Sequence, residues 1–290
     1  MKGLILAGGT GSRLSPATLG VSKQLLPIYD KPMIFYPLVT LMRSGIREIA
    51  LITLPRERSL FERVLGDGSH LGLEITYLEQ AKPRGLADAF IVAEGFLAGD
   101  ASCLILGDNM FFGDAFESKL SSRVQVRQSL VFAQRVATPS AYGVVSFDNL
   151  SKKAISLEEK PQRPSSNLAI TGIYFLDGSA PERAKTLSPS SRGELEIVDL
   201  LSHYLHDELL EVELLPEGTV WMDTGSFESL LDASSLIRLS QQRFGTLIGS
   251  PELTAWELGY ISDSELEALA QRYRNSRYGL SLLDSRAAKL

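Results

Sequence analysis

Short apolar runs alternate with segments of helical spacing over the first 110 residues of the chain. Three runs are continuous stretches of apolar residues, typical of strands buried on both faces of a sheet: 4–7, 49–52 and 103–106. The helical segments between them are 33–44, 56–65 and 86–96, and glycine follows the first two, as it often follows the last turn of a helix. The alternation predicts an α/β fold with a mostly parallel central sheet and helices on both faces.

The pattern changes after about residue 129, where strand-like runs follow one another with few helices between them. The predicted strands are 130–133, 142–147, 154–157 and 170–176. Helical spacing returns at 194–205 and 227–243, and short helices follow Pro251. We therefore expect a core over residues 1–245 with an inserted β region at about 110–220, and a C-terminal helical segment over 246–290.

The composition is that of an ordinary globular protein. Of the 290 residues, 44% are hydrophobic and 22% are charged, which argues against a collagen, a disulfide scaffold or an extensively disordered chain. One cysteine and three histidines provide no zinc ligand set of the usual kind. Cys103 lies in an apolar run, so we interpret it as a small buried residue.

Charge and hydropathy limit the partners that we expect. A net charge of −6 argues against a general nucleic-acid surface. The sequence contains no apolar stretch of the roughly 18–20 residues that a membrane span needs, and the apolar run at the N-terminus is too short for a signal peptide. We expect a cytoplasmic protein with neither membrane nor nucleic-acid partners.

The strongest local signal is the loop that follows the first predicted strand. Gly8, Gly9, Thr10 and Gly11 lead to Arg13. Glycines let backbone N–H groups approach phosphate oxygens, and arginine binds phosphate through two parallel hydrogen bonds. The loop lacks the Gly-Lys pair of the Walker motif and the third glycine of the dinucleotide fingerprint. It predicts a phosphate site of another kind, the alternative being a flexible turn.

Three charged residues could complete such a site. Lys23 follows the loop closely enough to bind the same anion, although a lone lysine is usually a solvated surface charge. Asp108 and Asp223 each end an apolar run, and ligands bind at the carboxyl ends of parallel strands. Together the two carboxylates could hold one Mg²⁺. Each alone is more often a cap or turn residue.

Glu158, Glu159 and Lys160 stand directly after a predicted strand and before Pro161. A carboxylate beside an ammonium could bind the hydroxyls and the phosphate of a sugar phosphate, whereas the alternative is a charged turn. The residues thus indicate an α/β protein that handles metal and phosphate, and they leave the reaction open.

These motifs, taken together, resemble the glucose-1-phosphate thymidylyltransferase family of sugar nucleotidyltransferases. The similarity covers roughly residues 1–245 and continues weakly to the end. The segments that carry it are 6–14, 21–32, 65–69, 106–109, 142–145, 157–161, 171–172, 192–197 and 223–225.

The resemblance implies a fold, a reaction and an assembly. The fold would be a Rossmann-like three-layer sandwich with a sugar-binding β insertion and a helical tail. The reaction would join dTTP and α-D-glucose 1-phosphate into dTDP-glucose and pyrophosphate, with Mg²⁺, by in-line attack on the α-phosphorus and without a protein nucleophile. Family members assemble as homotetramers, so we expect one here.

The resemblance also implies roles for individual residues. The loop Gly8–Gly11 would wrap the nucleotide, Arg13 and Lys23 would stabilise the phosphates, Asp108 and Asp223 would hold the metal, and Lys160 would bind the sugar phosphate. Gln80 and Gly85 would read thymine. The glucose wall would consist of Tyr142, Gly143, Glu159, Ile170 and Thr171.

The chain departs from the family pattern at several positions. Ala81 stands where the family usually has proline, and Val198 stands where it usually has threonine near the sugar. Many members have a second, inhibitory nucleotide site surrounded by basic side chains. Three positions that align with such residues are acidic here, namely Asp114, Glu217 and Glu257, so we hypothesise weakened feedback inhibition. Loss of surface basic residues without consequence is the alternative.

Other functions remain possible at this point. The nearest is a sugar-1-phosphate nucleotidylyltransferase that uses UTP or another sugar. A non-catalytic nucleotide-sugar sensor would be expected to lose the charged residues named above, all of which are present. A nicotinamide dehydrogenase is disfavoured because the glycine pattern fails.

Overall fold

The computed structural model describes residues 1–9, 11–121 and 129–287. Its strands are β1 (Lys2–Ala7), β2 (Pro27–Ile28), β3 (Lys31–Pro32), β4 (Glu48–Thr53), β5 (Glu74–Glu79), β6 (Ser102–Leu106), β7 (Asn109–Phe112), β8 (Ser129–Arg135), β9 (Gly143–Phe147), β10 (Ala154–Glu159), β11 (Leu168–Leu176), β12 (Leu210–Leu214) and β13 (Val220–Asp223). Its helices are α1 (Phe35–Arg43), α2 (Arg58–Leu65), α3 (Asp88–Val92), α4 (Glu94–Leu97), α5 (Asp114–Ser121), α6 (Ala180–Lys185), α7 (Ile197–His206), α8 (Phe227–Phe244), α9 (Pro251–Glu257), α10 (Asp263–Arg272) and α11 (Arg277–Ala287).

One large sheet runs through the molecule in the order β10-β9-β11-β6-β1-β4-β5, and β8 and β12 extend it beside β11. Strands β6, β1, β4 and β5 are parallel, as their continuous apolar runs and intervening helices predicted. Strand β11 is antiparallel to β6 and leads into the inserted β region. The α/β expectation is therefore confirmed, with antiparallel strands added on one side of a parallel core.

The two faces of the sheet bury two separate apolar clusters. Ile5 and Ala7 of β1 face a cluster that includes α1 and α2, whereas Leu4 and Leu6 face a cluster that includes α3, α6 and α7. Alternate residues of a strand point to opposite faces, so both faces of β1 must be apolar. This requirement explains the uninterrupted apolar run in the sequence.

The helices after Gly245 pack on the first of these clusters. Leu253 of α9, Leu266 of α10 and Leu282 of α11 are buried together with Ile5 and residues of β4. The C-terminal helices predicted beyond Pro251 are thus present and complete one layer of the sandwich. Within the described ranges, none of the helices has the length and apolar character needed to cross a membrane.

The structure differs from the prediction at several elements, including the helix at 86–96 and strand β5. The helix expected at 86–96 is split into α3 and α4, because Ala93 between them has φ −89° and ψ 1°, outside the helical range. Strand β5 was not predicted from the sequence. It is an edge strand in which apolar and polar residues are mixed, so it lacks the continuous apolar run that marks β1, β4 and β6.

Candidate active site

Two loops leave the sheet side by side at the carboxyl ends of neighbouring parallel strands. Strands β1 and β6 pair in register up to Leu6 and Leu106, and the N–H of Gly107 donates to the carbonyl of Leu6 at 2.9 Å. The glycine-rich loop follows β1, and Asp108 follows β6. The sheet therefore brings these two sequence motifs to one edge, where open α/β folds bind their ligands.

The glycine loop lies against the side chain of Lys23. A Cβ built on Gly9 would lie 3.6 Å from Lys23 Cε, and Gly11 has φ +63°, a left-handed conformation that glycine adopts without strain. Gly8, Gly9 and Lys23 line one cavity of 190 Å³ together with Asp108. Thr10 lies outside the described residues.

Arg13 and Asp223 meet on either side of Gly225. A Cβ at Gly225 would lie 2.7 Å from Arg13 Nη2 and 2.8 Å from Asp223 Oδ1. Any larger residue would therefore push into one of these groups. The N–H of Gly225 also donates to Asp223 Oδ1 at 2.9 Å, which fixes the carboxylate beside the guanidinium.

The strand pair β7–β13 joins the two aspartates despite their separation in sequence. Asp223 is the register partner of Asn109, the residue after Asp108. The N–H and the hydroxyl of Thr224 both donate to the carbonyl of Asp108, at 3.0 and 2.7 Å. The predicted convergence of Asp108 and Asp223 at one place is thus present in the structure.

The two carboxylates differ in their charge balance. Burial alone would raise the pKa of Asp108, but its ion pair with the Lys23 ammonium and a hydrogen bond from Asn109 Nδ2 lower that pKa overall. The pKa of Asp223 is raised by burial and by repulsion from Asp108. A cation that both carboxylates share would offset this repulsion between their negative charges.

This donor set fits a divalent cation of the hard type. Mg²⁺ typically takes one or two carboxylates and completes its shell with phosphate oxygens and water. Among the described residues, no group of three or more His, Cys, Asp or Glu side chains forms a ligand cage. The site therefore suits a metal that arrives with a phosphate-bearing substrate better than a permanently caged ion.

Gln80 and Gly85, the expected base-reading residues, line the same cavity as the glycine loop. Gln80 follows β5 and is 3% exposed. Gly85 has φ +108°, and a Cβ there would overlap the backbone of Leu195. The Leu195 N–H donates to the carbonyl of Arg84 at 2.7 Å, so only glycine allows this close approach of the two segments.

A second cavity adjoins the first and contains most of the expected sugar wall. It is lined by Tyr142, Gly143, Glu159, Lys160 and Ile170, together with Asp223. Lys160 has φ +42°, which is uncommon for a residue with a side chain, and its ammonium lies 3.4 Å from Glu159 Oε1. Residues held in such conformations often cluster at functional sites.

The side chain of Thr171 does not line this cavity, so its place in the glucose wall stays a prediction. Its hydroxyl donates to the carbonyl of Phe132 at 3.1 Å, and the residue is fully buried. Alternation along β11 turns Ile170 and Gly172 toward the cavity and Thr171 away from it. Val198, the departure from the family pattern that is expected near the sugar, lines the cavity.

Three residues at the site received no role from the sequence. Trp221 Nε1 donates to Asn109 Oδ1 at 2.7 Å, and its ring centroid lies 5.3 Å from that of Tyr142. Arg192 Nη2 donates to Glu159 Oε1 at 2.8 Å. Asn109 directly follows Asp108, and Trp221 precedes Asp223 by two residues; this proximity to the predicted metal ligands was the available signal. The partner of Arg192 could not be inferred from spacing.

Comparison with known proteins places the chain in a class. Residues 2–239 match the family model described as "Nucleotidyl transferase". The fold also matches the crystal structure of a UDP-glucose pyrophosphorylase complexed with UDP-glucose, with a TM-score of 0.74 and 26% identity, covering 82% of this chain and 98% of that one. The chain belongs to the nucleotidyl transferase family, and it is an enzyme.

The sequence relatives narrow this class. A glucose-1-phosphate thymidylyltransferase from Neisseria meningitidis is 51% identical, over 98% of each chain. A protein of the same name from Mycobacterium tuberculosis is 48% identical, again over 98% of each chain. Within its class the chain is thus a member of the glucose-1-phosphate thymidylyltransferase family, which confirms the resemblance seen in the sequence.

Proposed function

We propose that this chain transfers the thymidylyl group of dTTP to α-D-glucose 1-phosphate and releases pyrophosphate. The observation that carries the proposal is the placement of the aspartate pair between two cavities, one lined by the glycine loop and the other by Glu159 and Lys160. A triphosphate in the first and a sugar phosphate in the second would meet where Asp108 and Asp223 lie.

The transfer needs positioning and charge stabilisation and no protein nucleophile. A phosphate oxygen of glucose 1-phosphate forms a bond to the α-phosphorus, while the bond between that phosphorus and the bridging oxygen of pyrophosphate breaks. Backbone N–H groups of Gly8–Gly11 would hold the triphosphate. Arg13 and Lys23 would stabilise the negative charge that develops on the transferred group and on the leaving pyrophosphate.

Asp108 and Asp223 would hold Mg²⁺, which when bound neutralises phosphate charge at the α-phosphorus. The ion pair between Lys23 and Asp108 holds the ammonium beside the proposed metal ligands. If a bound cation engaged this carboxylate, the ammonium would be free to donate to a phosphate oxygen.

The sugar phosphate would lie in the second cavity. Lys160 would bind its phosphate, and Glu159 would accept hydrogen bonds from sugar hydroxyls while Arg192 holds the carboxylate in place. Tyr142 and Trp221 form an aromatic wall against which a sugar ring can pack. We also propose that the chain assembles as a homotetramer, as the family resemblance implies.

The alternative substrate is UTP, and the similarity to a UDP-glucose pyrophosphorylase favours it. Thymine and uracil present the same imide edge, so Gln80 cannot separate them. Discrimination must come from contacts to the thymine methyl group or from the ribose 2′-hydroxyl. The alanine at position 81 changes the loop in which such contacts would lie.

A matrix of nucleoside triphosphates against sugar 1-phosphates tests the proposal, with pyrophosphate release as the readout. We expect the highest kcat/KM for dTTP with glucose 1-phosphate, and no release without a divalent cation. A higher kcat/KM for UTP would favour the alternative. If dTTP and UTP released no pyrophosphate with any sugar phosphate, the proposed reaction would be wrong.

A further inference from the structure

Asp88 is a fully buried carboxylate beside the nucleotide cavity that has no part in the proposed transfer. It is the first residue of α3 and is 0% exposed. A buried charge is costly unless it is paired and hydrogen-bonded. Its charge is therefore balanced by hydrogen-bonding partners within the protein.

The two oxygens of Asp88 are each committed to one donor. Gln80 Nε2 donates to Oδ2 at 2.7 Å, and Arg84 Nη2 donates to Oδ1 at 2.6 Å. An ionised carboxylate only accepts hydrogen bonds. The end of the Gln80 amide that faces Asp88 must therefore be the NH₂ group.

The opposite end of the amide is thereby directed toward the glycine loop. A Cβ built on Gly8 would lie 3.0 Å from Gln80 Oε1, and both residues line the nucleotide cavity. The Gln80 side chain thus presents its carbonyl oxygen to the cavity as an acceptor, with the second N–H of the amide beside it. Without Asp88, rotation of the amide by half a turn would exchange acceptor and donor.

This order of acceptor and donor matches one kind of pyrimidine. Thymine and uracil present an N3–H donor next to a carbonyl acceptor, so a fixed carbonyl on Gln80 accepts from N3–H while the amide N–H donates to the base carbonyl. Cytosine presents the reverse, an N3 acceptor next to an amino donor. A reversed amide would pair with cytosine equally well.

We propose that Asp88 is a positioning residue that fixes the orientation of the Gln80 amide and so selects thymine or uracil over cytosine. The inference rests on the proposed function, since it takes the base to lie at Gln80. It assigns the choice between pyrimidines to a residue that does not touch the base.

The isosteric change Asp88→Asn tests this role. Arg84 carries only donors, so the oxygen of the introduced asparagine turns toward Arg84 and its NH₂ group faces Gln80. The glutamine amide must then reverse. We expect the ratio of kcat/KM for dTTP over dCTP to fall by about 10- to 100-fold, the range for one bidentate base contact, and the ratio of binding constants for dTDP over dCDP, measured by calorimetry, to fall in parallel.

Two controls separate this effect from a general loss of structure. Asp100→Asn makes the same chemical change in an ion pair with Lys2, away from the nucleotide cavity, and should leave the ratio unchanged. Arg84→Gln leaves the Asp88 acceptor facing Gln80, so the ratio should change by less than about threefold. A collapse of the ratio in Arg84→Gln to the level of Asp88→Asn would overturn the inference, as would an unchanged ratio in Asp88→Asn.

The unmodified enzyme provides a test that does not depend on the folding of any variant. It should strongly prefer dTTP to dCTP, and a methyl group on N3 of thymine should abolish that advantage because it removes the donor. Equal use of dTTP and dCTP, or of dTTP and its N3-methyl form, would overturn the inference while leaving the proposed reaction intact. Absence of turnover with any pyrimidine triphosphate would instead count against the proposed function.

Discussion

At the residue scale, the proposed transfer depends on the single charges of Asp108 and Asp223. Asp108→Asn leaves Lys23 without its ionic partner, and Asp223→Asn removes the second carboxylate of the pair. In either variant one ligand to the proposed cation becomes neutral. We expect turnover to fall by at least about 100-fold, as when one preorganised charge contact at a phosphoryl site is lost.

The measurement is pyrophosphate release at saturating substrates and Mg²⁺, with the melting temperature as a check on folding. Asp100→Asn, which alters a half-exposed ion pair, serves as the matched control and should keep normal activity. Near-normal rates in either active-site variant would contradict the metal assignment.

Lys160 illustrates a residue whose effect should appear in binding more than in chemistry. Its side chain is half-exposed beside Glu159, and its ammonium would face the phosphate of the sugar. Lys160→Ala should raise the KM for glucose 1-phosphate by about tenfold, equivalent to one charge-assisted hydrogen bond, with a smaller change in kcat. Lys153→Ala, which removes a comparable exposed lysine paired with Glu208, is the control, and an unchanged KM in Lys160→Ala would refute the role.

At the scale of elements, the sequence predicted best those strands whose burial on both faces allows only apolar residues. Strands β1, β4 and β6 are buried on both faces, so they must be apolar throughout, and their carboxyl ends placed the glycine loop and Asp108 correctly. The pairing of β7 with β13 could not be predicted, because apolar residues such as Met110 and Trp221 could pack against many other strands equally well. The contacts of Thr171 with Phe132 and of Arg192 with Glu159 depend on how the added strands β8, β10 and β11 are arranged, and the strand pattern alone does not give that arrangement.

The link between the 3₁₀ turn at Ser69–Leu71 and the C-terminal helices gives a pH dependence. Burial and the nearby Arg272 lower the pKa of His70 below its usual value of about 6.5. As the pH falls from about 7 to 5, the unfolded chain therefore takes up this proton before the folded chain does. The stabilising contribution is present above the unfolded pKa and is lost as the pH falls through the folded pKa.

His70→Gln should flatten the dependence of the melting temperature on pH between about 5 and 7, because one source of proton uptake by the unfolded state is removed. His206→Gln, at an exposed position at the end of α7, is the comparison. A steeper slope in His70→Gln than in the unmodified protein would mean that the sign of the shift is wrong.

On the scale of the whole molecule, a third cavity lies apart from the two cavities of the candidate active site and shares no lining residue with them. We consider it as a place where an end product could bind. It has a volume of 670 Å³ and includes Arg43, Asp114, Glu117 and Glu257 among its lining residues. Arg43 pairs with both Glu117 and Glu257. Burial and repulsion from Glu257 and Asp114 outweigh Arg43 and raise the pKa of Glu117. Glu217 is not a lining residue, although its neighbour Gly218 is.

The acidic lining predicts weak binding of anionic end products at this cavity. Because carboxylates repel a diphosphate, dTDP-rhamnose should inhibit only by competing with substrate. The measurement is inhibition kinetics against dTTP, with Asp114→Asn as the comparison that lowers the local negative charge. Micromolar inhibition that does not compete with substrate would contradict the hypothesis.

The C-terminal helices bury Leu253, Leu266 and Leu282 against the same interior as Ile5 and Leu51. If the chain were cut at Gly245, neither piece would contain all the residues of this apolar cluster. We expect a protein nicked there to remain associated and active, whereas residues 1–245 produced by themselves would aggregate. Supplying residues 246–290 as a separate polypeptide should restore solubility, because this segment completes the interior of one folding unit.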